Sequence, residues 1–306
     1  MEGSVRAPDR SLWGPGRSPG PRRPGPNVTF VTFVTWILGA WALAAGTGGC
    51  ALENRTGAAA ATALARGPVR TWAAQRSLEL LAAALQLDGA VRTQPAPDLM
   101  AARAAWQEAR LIYDEVQPVS LAAAPEIDLL LDGRFDNPLT QSGLRVLERA
   151  LFASPPASSD ELVRLAAALR DGAVRLPQAL GDPQRTLDAG ALLSTMSALV
   201  AVVATKADGS DSPFAGTAHL SIQRNLDGLR VIYLLLSPLV QAADVALDDT
   251  VRGALDELSA QVRGLPSTDA LTDKLRFLRR CSTLSQALLD VTRALGLGAT
   301  TQIDVT

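Results

Sequence analysis

From Val69 to Leu295 the apolar residues recur at helical spacing, in long stretches that end at Pro or Gly. That pattern restricts the chain to a helical fold. Val69–Val91 carries Leu78, Leu81 and Leu85 on one stripe and stops before Pro95 and Pro97. Asp98 is placed to cap the next helix, Leu99 to about Val116, and Pro118 and Pro125 bracket an irregular turn. A helix from about Leu139 to Phe152 ends before Ser154-Pro155-Pro156. Asp160 caps another to Leu180, stopped by Gly181-Asp182-Pro183. Arg185–Lys206, Phe214–Gln241, Leu247–Gly264 and Asp269–Leu295 complete the set. Ala and Leu dominate, only 4% of residues are aromatic, and few segments alternate as strands do. The expectation is an all-α bundle, with 47% hydrophobic residues over 306 positions to fill its core. The break at Ser154–Ser159 divides the helices into an N-terminal set, 69–155, and a C-terminal set, 156–298. No repeat at fixed period is evident, which excludes a helical solenoid.

The first 49 residues read as a leader. Met1–Asn27 is rich in Pro, Gly and Arg, an apolar run from Val28 to Ala45 follows, and small residues lead to Cys50. Basic flank, apolar stretch and small-residue exit outline a secretory signal. Thr47-Gly48-Gly49-Cys50 resembles a bacterial lipobox, with Thr where Leu is usual, which makes Cys50 the candidate lipidation site. A plain signal and an uncleaved anchor are the alternatives. All three place the rest of the chain outside the cytoplasm, with a membrane contact through Cys50 in the favoured version. Residues 50–68, rich in Ala, Gly and Thr, are expected to be a tether. Cys281 reads as a small buried apolar residue.

The net charge of −2 gives no basic field for nucleic acid. The chain has no phosphate-binding Gly loop, nucleophile elbow or Cys/His metal cluster. Asp208-Gly209-Ser210-Asp211-Ser212 is like part of a calcium loop but lacks its glutamate and register, so a plain loop is expected. Trp106, Arg110 and Tyr113 lie on adjoining turns and either line a pocket or form a packing stripe. Val231–Val240 reads as a buried helix rather than a membrane span.

Several pieces share one likeness. Gly143-Leu144-Arg145-Val146-Leu147-Glu148 resembles a Gly-x-His-x-x-Glu signature. Trp106, Arg110, Tyr113 and Glu115 follow a Trp, Ala-Arg, Tyr-Glu helix, and Asp128, Asp132 and Arg134 an Asp-x-x-x-Asp-x-Arg element. Asn225-Leu226-Asp227-Gly228, with Pro238-Leu239 beyond it, is similar to an Asn-Val-Asp/Glu-Gly segment. In this order these pieces resemble the imelysin-like family, which takes in the periplasmic EfeO-like and EfeM-like iron-uptake proteins, over roughly Ala73 to Leu295. The resemblance implies two packed up-down four-helix bundles in the bacterial cell envelope. It also implies a metal-related site, iron above all, and contact with an iron-uptake or outer-membrane receptor system. A metallopeptidase activity of the imelysin type is the enzyme class it offers, though a His-x-x-Glu pair alone is not a complete zinc-protease site.

The chain departs from the pattern where that chemistry would sit. Arg145 holds the histidine position, and a guanidinium has no lone pair to give a metal. The family's Tyr-Ser-His-Thr-Asp segment is Phe214-Ala215-Gly216-Thr217-Ala218 here, and Ser221 stands where a further Asp would be. His219, the one histidine, is either a displaced ligand facing the pocket of Trp106, Arg110, Tyr113 and Glu115, or a structural residue. A metal, iron or another divalent or trivalent ion, would then depend on Glu148, Asp128 and Asp132, with Glu115 as a further carboxylate. The favoured reading needs no cofactor: Arg145 supplies the positive charge itself, forked onto Glu148 one turn away. On that reading the chain is a binding or interaction module with a degenerate site, not an enzyme.

Overall fold

A computed structural model describes residues 50–133 and 141–297, and every described element is helical. The helices are α1 (Cys50–Leu64), α2 (Arg70–Val91), α3 (Leu99–Ala123), α4 (Pro125–Asp132), α5 (Leu144–Phe152), α6 (Ser159–Gly181), α7 (Ala189–Lys206), α8 (Ala218–Ala243), α9 (Val245–Val262) and α10 (Lys274–Ala294). The all-α expectation therefore holds. The leader, including the apolar run and the lipobox residues before Cys50, lies outside the described residues, as do Arg134 and Leu139.

Local chemistry explains most boundaries. Asp98, Ser158, Asp188, Asp244 and Asp273 each accept a backbone N–H at the start of α3, α6, α7, α9 and α10, satisfying donors that a first turn leaves open. Ser158, rather than Asp160, is thus the α6 cap. At the other end of α6, the Arg70 guanidinium from α2 donates to the carbonyls of Ala179, Leu180, Asp182 and Arg185.

Two expectations fail for physical reasons. Residues 50–68 are not a tether: α1 continues through a π-helical turn, Ala65–Val69, into α2. Ala61, Leu64, Ala65 and Val69 are buried there, and α1 packs on α7 and α8. Alanine is the strongest helix former, and tertiary burial of its small face outweighs the glycines. The helix expected to end near Val116 instead runs through Pro118 to Ala123. Proline has no N–H for the carbonyl four residues back. That orphan carbonyl, on Asp114, accepts the Asn225 side-chain amide at 2.7 Å.

Helix α2 packs on α3 and α6, α3 crosses α8, and α8, α9, α10 and α7 pack in turn on one another. Although α6 follows the Ser154–Ser159 break, its neighbours are α2, α4 and α5. Two corners repeat each other. In one, the Tyr113 hydroxyl of α3 donates to Asp128 of α4 at 2.7 Å; in the other, the Tyr233 hydroxyl of α8 donates to Asp248 of α9 at 2.9 Å. Pro118 and Pro238 follow their tyrosines at the same distance, and both long helices end at one non-helical residue, Ala124 or Asp244. No sequence repeat was legible because the residues between these anchors differ.

Candidate functional site

Where α3 crosses α8, the motif Asn225–Gly228 sets the approach. An added Cβ at Gly228 would lie 2.1 Å from the Glu115 carbonyl oxygen, so only hydrogen fits there. Asn225 is fully buried and completely used: its amide serves the Asp114 carbonyl and Gln117, and its oxygen accepts from Lys206 Nζ at 2.8 Å.

Beside this crossing lies a closed network of three cations and three carboxylates. Arg110 of α3 reaches Asp114 through Nε at 3.2 Å, Asp132 of α4 through Nη1 at 2.8 Å and Asp211 through Nη2 at 3.1 Å. Arg145 of α5 reaches Asp132 at 3.1 Å and Asp211 at 2.6 Å. Lys206, the last residue of α7, reaches Asp114 at 3.1 Å and Asp211 at 3.3 Å. The Ser221 hydroxyl accepts from Lys206 at 2.9 Å and donates to Asp114. Apart from the edge formed by Arg145 and Asp132, the members are buried.

Electrostatics follow from this closure. Burial alone would weaken the Arg110 cation, but Asp114, Asp211 and Asp132 more than offset it and raise its pKa. Burial works against Arg145 too, and Asp132 overcomes it. Burial alone would raise Asp132 and Asp211. Arg145 and Arg110 lower the first, while Lys206, Arg110 and Arg145 hold the second far below the usual carboxylate range. Asp128 lies outside this compensation: burial, followed by the Asp132 charge, pushes it up to about 7. The depressed pair gives a sign for acid stability. Their folded values lie below their unfolded ones, so the stability they add is present above the ordinary carboxylate range, about pH 4, and is lost as the pH falls through the folded values. The urea midpoint should drop between about pH 4 and pH 2, and Asp211→Asn should make that drop shallower; an unchanged slope would contradict the network.

The expected Arg145–Glu148 fork is corrected. The Arg145 guanidinium turns to Asp132 and Asp211, whereas Glu148, 1% exposed, points into the loop between α7 and α8. Its Oε1 accepts from Ser212 Oγ at 2.9 Å and from the backbone N–H groups of Phe214 at 3.0 Å and Ala215 at 2.9 Å. The loop so held is the one that delivers Asp211. It was expected to be a plain loop, Asn225 was read only as part of a family-like segment, and neither Asp114 nor Lys206 was singled out as a site residue.

The proposed ligand set is not brought together on a common point. Asp128 is bonded to Tyr113, Asp132 is taken by two arginines, and Glu148 holds the loop. Among the described residues no three His, Cys, Asp or Glu side chains group as a metal cage. The donors present therefore do not suit a bound metal. Trp106 is buried, donates to the Leu144 carbonyl at 2.8 Å and meets Phe152 edge-on at 5.2 Å, which ties α3 to α5. Glu115 is paired with Arg76 at 2.6 Å and Arg224 at 2.8 Å. Among the described residues no hydrogen bond or ion pair joins His219 to the network; partial burial lowers its pKa, opposed by a hydrogen bond with the Gly216 backbone. The residues expected to line one pocket thus serve separate contacts.

No curated protein matches the chain. The sequence profile of the imelysin family matches residues 73–295, which take in the Asn225–Gly228 crossing, the α4 and α5 elements and every member of the ion network. The chain belongs to the imelysin family.

Proposed function

We propose that this protein is an envelope-facing, lipid-anchored binding or interaction module related to iron uptake, in which Arg145 and Lys206 stand in for the ion of the family's site. The carrying observation is the neutral closure of Asp114, Asp132 and Asp211 by Arg110, Arg145 and Lys206. A dication placed among these carboxylates would face three resident cations and would have to displace hydrogen-bonded partners from a buried site. Acylation at Cys50 and a partner in an iron-uptake or outer-membrane receptor system belong to this reading. We place the division between the two helix sets at the Asp182–Asp188 connection, because α6 packs chiefly on α2, with α4 and α5 as further neighbours.

Among the described residues the peptidase alternative finds no free base. Ser221 beside Lys206 has the outline of a Ser–Lys pair, but the lysine ammonium is engaged by Asp114, Asp211 and Asn225, and a base needs a free lone pair. Ser221 is also buried, at 1% exposure, with no approach for a peptide. A carboxylate-only iron site would require Asp128, Asp132 and Glu148 to leave their partners. Metal analysis of purified wild type beside Arg145→His tests the proposal. Wild type should carry well under one equivalent of iron or zinc. Near-stoichiometric, tightly held metal in wild type would overturn it, whereas uptake by Arg145→His alone would locate the block at that side chain.

A further inference from the structure

We infer that the outer face of α10 is a second membrane contact, one that lies against an anionic lipid leaflet. Around α10, Phe277, Cys281, Leu284, Leu288 and Val291 point into the core. Successive residues turn by about 100°, so Leu275, Leu278, Arg279, Ser282, Gln286, Leu289 and Arg293 share a solvent-facing arc of about 100°. The three leucines on it are 62%, 42% and 38% exposed, which removes them from the protein core and leaves a stripe without a described partner.

The charges on the helix beside this stripe are mostly basic. From Lys274 to Leu289 the helix has four basic residues and no acidic one, although the whole chain is weakly acidic. Lys274 and Arg276 flank the arc on opposite sides, and Arg279 lies at its edge. The neighbouring acids are used locally: Glu257 pairs with Arg280 at 2.5 Å and Arg276 at 3.8 Å, Asp290 pairs with Arg293, and Asp273 caps the helix. Leucines interspersed with basic side chains complement an anionic headgroup layer, where long basic side chains keep their charge at the surface while leucines enter.

Position supports the same occupant. Helix α1 passes the C-terminal end of α10 at Gly57, whose added Cβ would sit 3.5 Å from the Leu295 carbonyl oxygen. Cys50 lies seven residues earlier on α1, about 10 Å of helical rise. A lipid on Cys50 would therefore deliver the α10 face to the leaflet at high local concentration. The inference rests on the envelope reading but not on acylation of Cys50.

The test uses the full chain carrying Cys50→Ser and Cys281→Ala, with an environment-sensitive fluorophore attached through Ser282→Cys. The same background with Gln75→Cys on α2 reports on a different exposed surface. Because the apolar run Val28–Ala45 can itself bring the chain to a vesicle, the readout is burial of the label and not co-sedimentation. Vesicles of phosphatidylglycerol and phosphatidylcholine should shield the 282 label from an aqueous quencher and leave the 75 label accessible; phosphatidylcholine alone should shield neither. Lys274→Gln with Arg279→Gln should weaken the shielding about 25-fold in lipid titration, about fivefold per charge, with helicity by circular dichroism unchanged. Equal shielding of both labels, equal response to the neutral vesicles, or shielding only after an envelope protein fraction is added would each overturn the inference. Acylation of the native Cys50, read separately by mass spectrometry, bears on the anchor and leaves the vesicle result independent of it.

Discussion

Lys206→Met should lower the unfolding free energy by about 3–5 kcal/mol at neutral pH, measured by urea denaturation. The lysine is 1% exposed, and its ammonium contacts two carboxylates, Ser221 and Asn225. Methionine fills much of the same volume, so packing changes little. The loss is that of a buried cation: Asp114 and Asp211 would share only Arg110 and Arg145, leaving a carboxylate uncompensated away from water. Asp211→Asn added to Lys206→Met should recover part of the loss, since it removes one charge of each sign. A single-variant loss under about 1 kcal/mol, the range of exposed pairs, would show that the network is solvated and its closure unimportant.

The balance of charge explains why the site was only partly legible in the sequence. Glu148 and Arg145 could be read because they share a helical turn, and spacing along one helix is a local property. Their true partners are not local. Asp132 lies 13 residues before Arg145 in the chain, and Asp211 comes from the α7–α8 connection. A guanidinium goes to the carboxylates that tertiary packing delivers, and the backbone N–H groups of Phe214 and Ala215 claim Glu148 first. One signal was available and missed. Lys206 is one of two lysines in the chain and ends a helix that has no other charge. A charge on an otherwise apolar helix is rarely buried without a partner, and that alone pointed to a buried acid.

The helical class was legible for the opposite reason, since period, cap and breaker are written locally, as in Asp98 and Gly181. What could not be read is how one element rescues another. Pro118 argued for the end of α3, and it would have ended that helix had Asn225 not arrived from α8 to take up the Asp114 carbonyl. The Asn and Gly of the segment 225–228 look like unrelated choices in sequence. In the fold they are two halves of one crossing, the amide that satisfies the proline's orphan acceptor and the missing side chain that lets it come close.

That crossing carries the second large expectation. Gly228→Ala should cost about 3 kcal/mol or more, at the upper end of overpacking effects. On propensity alone the change would stabilise an interior helical position by up to about 1 kcal/mol, because alanine is the better helix former. Sterics reverse that sign. The new Cβ would stand 2.1 Å from the Glu115 oxygen and 2.8 Å from its carbonyl carbon, and both are backbone atoms that no rotamer change can move aside. Helices α3 and α8 must separate, which draws Asn225 from the Asp114 carbonyl and Ser221 from the Asp114 side chain. Gly253→Ala in α9 supplies the contrast, since nothing lies within 4 Å of its added Cβ. It should be neutral or slightly stabilising in the same urea titration. Equal behaviour of the two alanine variants would mean that the α3–α8 contact is looser than the packing described, and with it the closure of the ion network.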